Sequence, residues 1–318
     1  MMKVLIADSI AESAVVSLQK DFDVTVKHFS PEELLKEIIQ FDAVIVRSAT
    51  KIPREVIEKG ALLKAIGRAG VGVDNIDVTA ATSAGIHVVN SPRASSISVA
   101  EMTIAFMLAL SRKIVDATNK TKNGEWPKKQ LKGTELYSKT LGFVGCGRIG
   151  AEVVKRAKAF GMKCVVYDPY LPKDVITKIG AEPVDNLSDL LPISDFITIH
   201  ALLTDETRGM IGRDELKKMK ATTYIINCAR GGIIDEDALF SELKSNTIAG
   251  AALDVFEDEP SKANKLFELD NIYVSPHIGA STSEAQERAG NITVEQVRLV
   301  LNGNSPEFCV NARALEKK

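Results

Sequence analysis

Short runs of β-branched and other apolar residues, each followed by a longer stretch with helical spacing, recur along almost the whole chain. The first set reads "KVLIAD", "DVTVKHF", "AVIVRSA", "LKAIGRAG" and "IHVVN". After a long interval a second set follows: "TLGFVGCG", "KCVVYDP", "FITIHA", "TYIINCA", "IAGAALDVF" and "IYVSPHIG". Nearly continuous apolar strands alternating with helices predict βαβ units in parallel sheets covered on both faces. Eleven candidate strands are too many for one modest open sheet, and the eight evenly spaced βα units of a closed barrel are not visible. The expected class is therefore α/β, with two doubly wound parallel-sheet domains.

Between the two sets lies "SISVAEMTIAFMLALSRKIVDATNKTKNGEW", residues 96 to 126. Ser98 and Glu101 have the spacing of a capping box, and the apolar positions after them occupy more than one face, which predicts a buried or bridging helix. A second capped pattern runs from Ser281 to Gly303. The first five strands lack a closing helix, so the tail is expected to return to them. The predicted domains are 1–97 with 286–318, and 98–285, joined by a two-stranded hinge near 97 and 285.

Composition narrows the class. The chain has 318 residues, 45% hydrophobic and 26% charged, with a formal charge of −2, so it has no overall attraction to nucleic acid or anionic membrane. The N-terminus is too short in apolar residues for a signal peptide, and no stretch has the length of a membrane span. Cys146, Cys164, Cys228 and Cys309 show no paired spacing, which argues against disulfides or a zinc knuckle and for a reducing, cytoplasmic setting. No His, Cys or acidic set has metal-ligand spacing, so no metal is expected.

The strongest local motif is "TLGFVGCGRIGAEVVKRAKAFGMKCVVYDP". Gly145, Gly147 and Gly150 form G-x-G-x-x-G between an apolar strand and a helix. The first glycine permits a tight turn, the second close approach of a pyrophosphate, and the third close packing of helix on strand. The helix start adds unpaired N–H groups and a positive dipole end. Asp168, ending the next strand, is placed to accept from the ribose hydroxyls and to repel a 2′-phosphate. NAD is thus the expected cofactor, on a Rossmann-type domain.

A nicotinamide raises the question of which groups move the proton and hold the anion. Arg230, Asp254 and His277 stand at the ends of three successive predicted strands, and Glu259 follows in "DVFEDEP". Ligands of open parallel sheets sit beyond the carboxyl ends of the strands, so these side chains can converge. Histidine suits a hydroxyl proton that must be taken and returned, and a neighbouring carboxylate favours its imidazolium form. Arginine's planar fork suits a carboxylate or a C2 oxygen. His28, His87 and His200 read as structural, although His200 ends a strand of the cofactor domain within reach of a ligand.

"GFVGCGRIG", "NCARGGIIDEDAL", "GAALDVFEDEP" and "SPHIGAST" resemble the D-isomer-specific 2-hydroxyacid dehydrogenases. "VRSATKIPREVIEKG" and "IGRAGVGVDNIDVTAAT" resemble the branch of that family that oxidises 3-phospho-D-glycerate to 3-phosphohydroxypyruvate at the entry to serine synthesis. The resemblance implies that the first domain is a flavodoxin-like, discontinuous substrate or lid domain that closes over the cleft. It implies a catalytic trio of Arg230, Glu259 and His277, with Glu259 rather than Glu257 as the acid before the proline. Implied cofactor contacts are Val71, Arg148, Ile149, Asp168, the backbone at His200 and Ala201, Cys228, Ala229, Arg230, Asp254 beside the nicotinamide amide, and His277, Gly279 and Ala280. Implied substrate contacts are Arg47, Ser48, Val71, Gly72, Arg230 and His277. Arg93, Arg112 and Lys139 are further cations open to a phosphate. Trp126 resembles a tryptophan that reaches toward a neighbouring subunit, which implies a homodimer.

Two departures accompany the resemblance. Ser95 stands where the family usually has asparagine, and the chain stops at Lys318 without the serine-binding domain of longer relatives, so serine feedback is not expected. Glyoxylate or hydroxypyruvate reductases and D-lactate-type enzymes use the same machinery with another pocket. A dinucleotide-sensing protein resembling the C-terminal-binding-protein corepressors is the alternative of another class.

Overall fold

In the computed structural model, which describes residues 1–316, the strands segregate into two open, wholly parallel sheets. The first contains β1 (Lys3–Ile6), β2 (Asp23–Val26), β3 (Ala43–Val46), β4 (Ala65–Arg68) and β5 (His87–Asn90), in the order β2-β1-β3-β4-β5. The second contains β6 (Thr140–Val144), β7 (Lys163–Tyr167), β8 (Glu182–Val184), β9 (Phe196–Ile199), β10 (Tyr224–Asn227), β11 (Gly250–Leu253) and β12 (Ile272–Val274). Its order is β12-β11-β10-β9-β6-β7-β8. All eleven predicted strands form. The one not foreseen, β8, is a three-residue edge strand that contains Pro183 and pairs only with β7, so its sequence carries almost no strand signature.

Alternation along each strand sends neighbouring side chains to opposite faces. In the second sheet Leu141, Phe143, Phe196, Ile226 and Ala252 build one core. Ile197, Ile199, Ile225, Ala251 and Leu253 build the other. Two separate clusters likewise sandwich the first sheet. Both faces of each sheet are covered, which is what the unbroken apolar strands require.

The chain divides into Met1–Ser95 with Ala280–Lys318, and Ser96–Gly279, so the cuts fall a few residues before those read from the sequence. Residues 317 and 318, the end of the expected first domain, lie outside the described residues. The helix Ser283–Leu301 buries Val294, Val297, Val300 and Leu301 in the same cluster as Val4, Ile6, Ile45 and Ala65 of the first sheet. Gly67 makes that approach possible, because a Cβ there would lie 2.8 Å from both Thr293 and Val297. The helix is capped by Thr282, whose hydroxyl accepts from Ala285 N–H, and not by Ser281.

The other capping expectation also changes. The long helix begins at Ser96 and runs to Arg112, so Ser98 is buried inside its first turn and cannot act as a cap. Ten of its residues are buried, including Val99, Phe106, Met107 and Leu110 beneath β10 and β11. Lys113, at φ 50°, breaks it from the exposed helix Ile114–Lys122. Among the described residues no helix is long and apolar enough to cross a membrane.

Candidate functional site in the second sheet

The glycine loop follows β6, whose neighbours are β9 and β7. The connections to these two leave in opposite directions, which opens a crevice at their carboxyl ends. Gly145 has φ +79°, and a Cβ there would lie 2.9 Å from Ala201 N, so both conformation and space demand glycine. At Gly147 an added Cβ would meet nothing within 4 Å. This open cradle heads the helix Arg148–Ala159, whose first turn receives no side-chain cap. Exposed backbone N–H groups at such an end suit a pyrophosphate. Gly150 packs back on the loop, its virtual Cβ 3.0 Å from Cys146 Sγ, and Ile149 lies half-buried beside it.

Asp168 ends β7 with its carboxylate tied into this loop. Oδ2 accepts from Cys146 N–H at 2.9 Å, and Oδ1 from the N–H groups of Tyr170 and Leu171 at 3.0 Å each. Across the crevice, His200 Nε2 lies 3.0 Å from Thr198 Oγ1 while its buried Nδ1 has no partner. Burial pushes this imidazole down to about 3, so it is neutral at ordinary pH. Burial, followed by the charge of Asp168, raises the Cys146 thiol to about 12. Burial, followed by Asp254, does the same to Cys228.

The ends of β10, β11 and β12, neighbours in the sheet, carry the remaining groups. After β10, Asn227 clamps the turn: its Nδ2 donates to Arg230 O at 2.9 Å and its Oδ1 accepts from Ala229 N–H at 3.0 Å. Arg230 Nη1 donates to Ala229 O at 2.7 Å. The next residue, Gly231, lies so near the loop after β11 that a Cβ would fall 1.8 Å from Phe256 O. Phe256 N–H in turn donates to Glu259 Oε1 at 3.0 Å, and Glu259 Oε2 lies 2.7 Å from His277 Nδ1. Glu259 and His277 thus touch directly, and the turn that carries Arg230 packs through Gly231 on the loop that carries Glu259. His277 has φ +54°, a left-handed conformation uncommon for residues other than glycine.

Asp254 holds that conformation. It is 1% exposed and accepts from Ser275 Oγ, from Ile278 N–H at 2.8 Å and from Gly279 N–H at 2.7 Å. Asp254, expected beside the nicotinamide amide, is thus engaged by its own chain, a structural duty that its sequence position did not announce. Asn227 and Gly231 were also missed; the only signal was their place in "NCARGG".

Within the other unit, Arg47 and Ser48 follow β3, and Val71 and Gly72 follow β4. Buried Asp8 pins the first loop, accepting from Arg47 N–H at 2.6 Å and from the Thr50 hydroxyl at 2.7 Å. Asn90 Nδ2 donates to Val71 O at 2.6 Å. Arg93 pairs with Glu307 at 3.2 Å. Ala280 is exposed just past the division.

An open phosphate cradle, a strand-end acid and a carboxylate-paired imidazole at one edge of a doubly wound sheet define a dinucleotide-binding α/β protein. Residues 104–279 match the model of the D-isomer specific 2-hydroxyacid dehydrogenase NAD binding domain, and the chain belongs to that family. It is 54% identical over 312 residues to D-3-phosphoglycerate dehydrogenase of Methanocaldococcus jannaschii, covering 98% of this chain and 60% of that one. It is 50% identical over 282 residues to hydroxypyruvate reductase of Thermotoga maritima, covering 88% and 91%. The chain spans about 60% of the length of the phosphoglycerate dehydrogenases it matches. Among solved structures, a glyoxylate reductase from Paecilomyes thermophila superposes with TM-score 0.89 at 30% identity, covering 100% of this chain and 99% of that one. The TT0316 protein from Thermus thermophilus gives 0.88 at 33%, covering 97% and 100%.

Proposed function

We propose that this chain catalyses NAD-dependent oxidation of 3-phospho-D-glycerate to 3-phosphohydroxypyruvate, the first step of serine biosynthesis. The observation that carries the reaction type is the 2.7 Å pairing of His277 Nδ1 with Glu259 at the sheet edge bearing Arg230. Support for the phosphorylated substrate comes from relatives of that name at 43–54% identity.

Bound NAD supplies the hydride acceptor. His277, with Nδ1 bonded to Glu259, presents Nε2 to the C2 hydroxyl and takes its proton as the carbonyl forms. Glu259 fixes the ring and stabilises the imidazolium that results. Arg230 binds the substrate carboxylate and the developing carbonyl oxygen; charge-assisted bonds of this kind contribute about 1.5–3 kcal/mol each. Arg47 and Ser48, with Val71 and Gly72, supply the substrate-side contacts. The same reading includes a cytoplasmic homodimer in which Trp126, 83% exposed in the single chain, packs on its counterpart's subunit. Sedimentation of wild type and Trp126→Ala tests this; monomeric wild type would refute it.

A second reading, reduction of hydroxypyruvate or glyoxylate, is favoured by the Thermotoga maritima relative, which this chain matches over 91% of its length. Steady-state kinetics on 3-phosphoglycerate, phosphohydroxypyruvate, hydroxypyruvate, glyoxylate and D-lactate decide between them. The proposal requires kcat/KM for the phosphorylated pair to exceed the others by about tenfold or more, the scale of one added ionic contact. A preference for unphosphorylated acids selects the second reading. NADH binding without turnover of any 2-keto acid indicates a sensor.

A further inference from the structure

Tyr170 and Glu206 meet at the cofactor crevice without having been assigned any part in it. Tyr170 follows β7 and Glu206 follows β9, while β6 with its glycine loop lies between these strands. The Tyr170 hydroxyl donates to Glu206 Oε2, so this bond joins the two flanks of the phosphate loop. Neither end is adrift. Tyr170 N–H donates to Asp168 Oδ1 at 3.0 Å. The Glu206 loop is tied by Thr204 N–H to Thr207 Oγ1 at 2.8 Å and by Arg208 N–H to Thr204 O at 3.0 Å. The phenol feels Glu206 first and Asp168 also, and both hold its pKa above the ordinary value. It therefore stands in the field of two carboxylates on opposite sides of the loop.

We propose that Glu206, tethered by Tyr170, is a second determinant of coenzyme choice, adding its charge to that of Asp168 at the adenosine end of the crevice. A 2′-phosphate carries nearly two negative charges and meets repulsion from both sides, whereas a 2′-hydroxyl does not. Tyr170, 76% exposed, serves as the strap that keeps the Glu206 carboxylate facing the crevice and covers the bound adenosine.

The test measures dissociation constants of NADH and NADPH by nicotinamide fluorescence on the full chain, without turnover, so the outcome stands apart from the choice of substrate. Glu206→Gln is expected to lower the NADPH-to-NADH ratio of dissociation constants by about three- to tenfold at low salt. The effect should shrink in 0.5 M salt, on the order of a Debye length of 4–5 Å, as screened repulsion requires. Tyr170→Phe is expected to lower the same ratio and to speed NADH release in stopped flow about threefold or more, on the scale of one lost hydrogen bond. A ratio within about twofold of wild type for Glu206→Gln, or a shift indifferent to salt, overturns the electrostatic role. An unchanged NADH release rate in Tyr170→Phe overturns the strap.

Discussion

His277 is paired with Glu259 across 2.7 Å by a loop that places its imidazole in the left-handed region at φ +54°. The carboxylate of Asp254 sustains that conformation by collecting the N–H groups of residues 278 and 279. The ring is thus oriented by one acid and its backbone by another, and the two acids should be separable by mutation.

Removing the imidazole should therefore affect chemistry more than binding. His277→Ala is expected to leave NADH affinity nearly intact and to depress turnover by at least about 10²-fold, the usual scale of a general acid–base. Glu259→Gln should depress turnover less, since an amide still reaches Nδ1 but cannot stabilise the imidazolium. Fluorescence titration beside steady-state kinetics checks both; a large loss of NADH affinity in His277→Ala would count against the assignment.

The glycines of the site separate close approach from open space. Gly231→Ala would drive a Cβ to 1.8 Å from Phe256 O and push the loop that holds Glu259. A loss of about 2–4 kcal/mol in stability, with a fall in turnover, is expected. Gly147→Ala has nothing within 4 Å to meet and φ −71°, so its stability should change by less than about 1 kcal/mol while dinucleotide affinity falls. Urea denaturation and NADH titration of the two variants would reveal any reversal of this order.

Asp168→Ser removes the fixed carboxylate that meets the Cys146, Tyr170 and Leu171 N–H groups. Discrimination against NADPH should fall by about tenfold, as expected for losing one close like-charge repulsion. Wild-type protein that already binds NADPH as tightly as NADH would contradict this role.

His200 gives an acid limb to stability. Its folded-state pKa is depressed from 6.5 to about 3, so the unfolded chain binds the extra proton between those values. The contribution is fully present above 6.5 and is lost as pH falls toward 3, with a slope of up to about 1.4 kcal/mol per pH unit. Urea midpoints from pH 7 to 4 should fall less steeply for His200→Gln than for wild type. Equal slopes would show that the imidazole titrates normally.

Much of the architecture was written locally. Apolar runs of strand length, the three glycines at Gly145, Gly147 and Gly150, and a histidine following a proline are short-range features, legible because each constrains its own backbone. β8 was illegible because three residues with a proline acquire strand geometry only by pairing with β7. The start of the long helix was misread because Ser98 has the chemistry of a cap, and only its burial shows that it lies inside the helix that begins at Ser96. Asn227, Gly231 and Asp254 were undervalued for the same reason. Their partners are residues on neighbouring turns or strands, and spacing along the chain does not report which loops touch.

By itself, then, the sequence determined two parallel α/β sheets, a dinucleotide loop and the identities of an arginine, a glutamate and a histidine at strand ends. Only the tertiary structure decided that the histidine meets Glu259, that Asp254 is committed to the histidine's backbone, and that Tyr170 reaches Glu206 across the phosphate loop. Backbone preference and hydrophobic period act between near neighbours in sequence, while these contacts depend on strand order, which is set when the whole sheet closes its core.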